Sequence, residues 1–113
     1  MMYRLRNDKS ISVMMEYHTI KQALVGLAIE TALLDVGKPA LMEVIRKLES
    51  EYNSGIFDCY YHPELLVSVL KELFGNSYAA IVESINMKLA EFSYQEPIRQ
   101  FISDLTLVAS GAS

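Results

Sequence analysis

Between residues 20 and 36 the chain reads IKQALVGLAIETALLDV, and its apolar residues fall on almost every side of the helix they would form. A helix without a polar face has to be covered all round, or lie against a second subunit. The run predicts a long first helix over about 13–36, with part of its surface offered to a partner. Gly37 ends it, because glycine accepts the left-handed conformation of a C-terminal cap. Pro39 then suits the first turn of a second helix.

The remaining pattern is amphipathic and well punctuated. Leu41, Ile45, Leu48 and Tyr52 share one face of the second helix, and Glu43 and Lys47 form an i,i+4 pair outside. Asn53-Ser54-Gly55 stops it. Residues 56–62, IFDCYYH, are short, aromatic and extended-looking, but no second strand exists to pair with them. They predict an ordered connector packed on the core. Pro63 opens a third helix with Leu66, Val69, Leu70 and Leu73 inward, and Gly75 closes it. Asn76 or Ser77 is the expected cap of a fourth helix running to about residue 92, because a short polar side chain accepts a bond from a free backbone N–H. Tyr78, Ile81, Val82, Ile85, Leu89 and Phe92 form its stripe. A last helix starts near Pro97 and buries Ile98, Phe101, Ile102, Leu105 and Val108. About five helices on short loops give a compact all-α bundle, dimeric through the apolar first helix. One domain over 13–109 is expected, with a flexible tail at 1–12 and a frayed end at 110–113.

Composition narrows the function classes. A chain of 113 residues with 51% apolar content suits one self-standing core. Ten basic residues are scattered among fourteen acidic ones, for a net charge of −4. Nucleic-acid binding needs a basic stripe to replace counterions, so it is not expected. The third and fourth helices superficially suggest a helix-turn-helix. The second of them sets Glu83 and Glu91 against only Lys88, which leaves little for phosphates or base edges. The apolar run at 20–36 is too short for a membrane span, and Glu30 would be costly in lipid. The single cysteine, Cys59, excludes an internal disulfide and a CxxC motif, which fits a reducing cytoplasm.

Few residues offer chemistry. Asp58, Cys59, His62 and Glu64 are the one sequence cluster of ligand types, as a weak zinc site or a thiolate nucleophile. The plainer assignment makes Cys59 a buried apolar residue and places Glu64 in a first helical turn, where its charge favours the dipole. No cofactor is expected, and no catalytic motif is present. His18 shares a face with Met14 and Gln22 and reads as a packing or surface residue. Glu30, the one charge amid the most apolar run, either reaches the rim or sits in a dimer seam or pocket. Tyr52, Tyr60, Tyr61 and Tyr78 surround the connector. Their acidic neighbours disfavour a base-stacking role, leaving core packing or a small cleft.

Residues 57–92 resemble a family of small archaeal helical domains, the Nitrosopumilus output-domain type. The resemblance rests on Asp58-Cys59-Tyr60, His62-Pro63-Glu64, the run Leu70-Lys71-Glu72-Leu73-Phe74-Gly75, and Val82-Glu83-Ser84-Ile85. Gly37-Lys38-Pro39 adds to it, and it extends over about 20–105. It implies a helical signalling or interaction domain and transfers no catalytic residues.

Together these observations predict a non-enzymatic, homodimeric helical module that binds another protein in a regulatory setting. Leu24, Leu27, Ala28, Thr31 and Leu34 are the expected seam, with Gly26, Ala28 and Ala32 small enough for close helix approach. The alternative is a sensor for a small apolar ligand, held under the connector by Phe57, Tyr60, Tyr61 and Phe74. A metal or thiol site at Asp58, Cys59 and His62 is the remaining possibility.

Overall fold

Proline and glycine set the element boundaries of this chain. The computed structural model describes the backbone of residues 2–111 and side chains from Thr19 onward. Helix α1 spans Met2–Val36, α2 Lys38–Tyr52, α3 Pro63–Phe74, α4 Tyr78–Leu89 and α5 Glu96–Ala109. No strand occurs among the described residues. The side chains of the expected 1–12 tail and of His18 lie outside the description, as do residues 112–113 at the expected frayed end.

Three helices carry a proline in their first turn, where its missing N–H breaks no helical bond. Gly37, at φ 152°, separates α1 from α2. Asn53 closes α2 in the left-handed conformation, its N–H reaching Glu49 O while Ser54 N–H reaches Leu48 O. Gly75 ends α3 at φ 55° and ψ −131°, a region essentially closed to other residues.

Two local expectations are corrected. The connector is not extended: Ile56–Tyr60 forms a 3-10 turn. Gly55 N–H donates to Asp58 Oδ2 at 2.8 Å, and Asp58 N–H returns a bond to Gly55 O. That reciprocal pair winds the segment. Nor does Asn76 or Ser77 cap α4 with a side chain. A second 3-10 turn, Gly75–Ser77, feeds straight into α4. The run Pro63–Phe92 is long and apolar enough to cross a bilayer by length and composition. Gly75 breaks it into two short helices that both pack into the bundle.

The core draws on every helix. Val25, Ile29 and Leu33 of α1 meet Val44 and Leu48 of α2, and Leu66, Val69 and Leu70 of α3. Ile85 and Leu89 of α4, with Ile98 and Leu105 of α5, complete it. Removing such side chains from water is the main stabilising term of the fold. In α2 the centre of the buried face is Val44 and Leu48, with Leu41, Ile45 and Tyr52 half-buried beside them. The expected Glu43–Lys47 pair does not form. Glu43 takes Arg46 at 2.6 Å, while Lys47 Nζ lies 2.7 Å from both Glu51 and Glu72. Glu72 belongs to α3, so Lys47 gains two carboxylates and ties α2 to α3. The hydrogen bonds that its ammonium donates to Glu51 and Glu72 raise its pKa.

Candidate interaction surface

Helix α1 has two apolar faces. At 100° per residue, Val25, Ile29, Ala32 and Leu33 point inward and are buried. On the opposite side lie Ile20, Leu24, Leu27, Thr31 and Leu34. Ile20 is 56% exposed, Leu27 58% and Leu34 50%. Spacings of four, three, four and three are those of a coiled-coil seam. The inward face is covered by α2, α4 and the Ile56–Tyr60 turn, with a smaller contribution from α5. No described element covers the outer stripe fully.

Four of the five expected seam residues thus share the outer face. Ala28 is 7% exposed and sits at its flank, facing inward. Thr31 satisfies its hydroxyl locally, donating to Leu27 O at 2.8 Å, so it leaves no polar demand on the stripe. Beside the stripe, Leu24, Leu27, Ala28 and Thr31 join Leu89 and Phe92 in an open groove of about 250 Å³. Lys88 and Glu91 rim it, and Lys88 is held by Asp35 at 2.8 Å. The arrangement supplies an apolar shelf with a polar edge and no reactive group. Glu30 is half-buried at the opposite flank.

The small residues of α1 serve the interior. Gly26 lies directly under the Phe57 ring, and a Cβ there would meet Phe57 Cδ1 at 2.1 Å. Gln22 Nε2 donates to Phe57 O at 3.0 Å, fixing the same contact from the backbone side. The turn is latched to α1 by these two contacts, and Ala32 is buried in the core.

The four rings expected to line one cleft do not converge. Phe57 packs on Gly26, and Tyr60 stacks on Phe101 of α5 with centroids 6.5 Å apart. Tyr61 meets Tyr60 edge-on at 4.8 Å and lines an open groove with Pro63, Glu64, Asp104, Leu107 and Val108. Phe74 lines a different groove, near Val36, Pro39 and Leu73.

The ligand-type cluster is likewise dispersed. Asp58 is engaged by Gly55 N–H, and His62 Nδ1 lies 3.3 Å from Glu64 Oε2 at the surface. Cys59 is fully buried, and burial pushes its thiol up to about 12, with Asp58 and Glu64 adding to the shift. A thiol so protonated is a poor nucleophile and a poor metal ligand. Among the described residues no three His, Cys, Asp or Glu side chains come together as a metal site.

Sequence reasoning does not reveal the Gly26–Phe57 contact or the Tyr61 groove, because both join residues more than thirty positions apart. The 4-3 spacing of the α1 stripe is readable, but the same run holds an equally apolar inner face. No protein-family model, curated protein or solved structure matches this chain.

Proposed function

We propose that this protein is a non-enzymatic helical module of regulatory, protein-binding type, paired with a second copy through the outer face of α1. The exposed side chains of Ile20, Leu27 and Leu34, with the half-buried Leu24 between them at coiled-coil spacing, carry this reading. A second copy is a fitting occupant because a two-fold interface buries the same patch on both subunits. The apolar centre and the Lys88, Glu91 and Asp35 edge resemble the core and rim of such interfaces. A reducing, cytoplasmic setting accords with one buried thiol, and the resemblance to the small archaeal output-domain type supports a signalling context.

Light scattering after size exclusion tests the pairing. The expected mass is twice the 12.8 kDa chain, retained on dilution. Leu27→Glu with Leu34→Glu is expected to give a monomer of unchanged helical circular dichroism, since both positions point away from the core. A folded variant that stays dimeric, or a monomeric parent protein, overturns the α1 seam.

A further inference from the structure

A second exposed apolar site lies between α5 and the start of α3, on elements separate from the α1 stripe. Tyr61 and Leu107 are each 56% exposed and line one groove with Pro63 and Val108. Large exposed side chains brought together in this way mark contact surfaces more often than isolated ones do. The groove measures about 290 Å³, and its other described lining residues are two carboxylates, Glu64 and Asp104. None of the lining residues is basic.

Three features select the occupant. Asp104 is half-buried and accepts one bond among the described residues, from Gln100 Nε2 at 2.9 Å to Oδ1, which leaves Oδ2 without a partner among them. Among the described residues Glu64 has no lysine or arginine partner, and its side chain lies 3.3 Å from His62 Nδ1. Helix α5 has no basic residue in its last turn, so its negative dipole end lacks a cation beside the groove. Meanwhile Tyr61 is held by its edge-on contact with Tyr60, itself stacked on Phe101, so an aromatic anchor is preorganised at the rim. Rigid tyrosines of this kind lose little entropy on binding.

We propose that this groove binds an arginine-bearing apolar segment of a partner protein. A guanidinium is planar, stacks on an aromatic face and pairs with carboxylates in fork geometry. Laid on Tyr61, it meets Asp104 and Glu64, while a neighbouring apolar side chain covers Leu107 and Val108. Lysine fits the charge but neither the stacking nor the fork. The assignment does not depend on the α1 pairing.

The test is a titration of the isotope-labelled full chain with a short leucine–arginine peptide, followed by backbone NMR shifts. Parallel titrations use the leucine–lysine and leucine–glutamate counterparts. The expected shifts centre on Tyr61, Glu64, Asp104 and Leu107. Arginine is expected to bind several-fold more tightly than lysine, and the glutamate peptide not at all. Glu64→Gln with Asp104→Asn is isosteric and is expected to weaken binding at least about tenfold. Leu107→Ser, at an exposed position, provides a second variant that weakens binding without removing charge. Shifts centred on α1, no shifts with the arginine peptide, equal binding of arginine and lysine, or unchanged affinity in either variant overturns the proposal.

Discussion

Phe57 is 44% exposed yet held in place, because the residue beneath it has no side chain. Gly26→Ala would drive a methyl into the ring. The expected cost is about 0–2 kcal/mol, the overpacking term less the helix gain of alanine over glycine. With Phe57→Ala in place the obstacle is gone, and Gly26→Ala becomes stabilising by about 0.5–1 kcal/mol. Urea denaturation of the four proteins in this cycle checks the change of sign. Stabilisation by Gly26→Ala in the parent chain would show that the ring does not rest there. Cys59 gives a pH signature by a similar route. Its folded pKa lies near 12, above the ordinary thiol range. The unfolded chain releases this proton first as pH rises, so the thiol's contribution is complete below the ordinary thiol pKa. It is lost as pH climbs toward 12. Between pH 8 and pH 10, roughly the onset of thiol ionisation, the urea midpoint of the parent should fall more steeply than that of Cys59→Ala. Parallel slopes would show a thiol that ionises equally in both states.

At the scale of elements, the boundaries are legible because the residues that set them act locally. Pro39, Pro63 and Pro97 mark helix starts, and Gly37 and Gly75 mark ends, by covalent geometry alone. Buried stripes of α3, α4 and α5 are legible for the same reason, since 3.6-residue periodicity is a property of one segment. What α1 buries is not legible: a helix apolar on both faces gives no phase. Ala28 and Ala32 therefore look like seam residues although both face the core. The ion pairs are illegible where tertiary contact decides them, as when Glu72 of α3 helps draw Lys47 away from Glu43. Asp58, which offered itself as a ligand, instead winds the turn that places Phe57 and Tyr61. The punctuation itself is testable. Gly75→Ala forces a side chain into φ 55°, ψ −131° and should cost about 1–3 kcal/mol. Asn53→Gly, at a left-handed position, should change stability by no more than about 0.5 kcal/mol. Equal effects in thermal or urea melts would place the strain elsewhere.

For the whole molecule, the question is what covers the outer face of α1. A 113-residue chain already encloses a core drawn from all its helices, so the exposed leucines are not needed to make the monomer fold. They are a surplus of apolar surface, and water opposes leaving it open. Pairing would therefore add to a fold that is already complete, so assembly and folding should be thermodynamically linked yet separable. The linkage has a measurable form. If two copies unfold together, the thermal midpoint depends on protein concentration, rising by about 2–5 °C for each tenfold increase in a domain of this size. In Leu27→Glu with Leu34→Glu the midpoint should lose this dependence and fall on the parent's low-concentration limit. Its unfolding should remain cooperative, because neither residue contributes to the core. A parent midpoint independent of concentration, together with a monomeric mass, would mean that the stripe awaits a different partner. A variant that fails to fold at any concentration would mean that the monomer's core is incomplete, and that α1 belongs to an obligate dimer whose subunits have no stable existence apart.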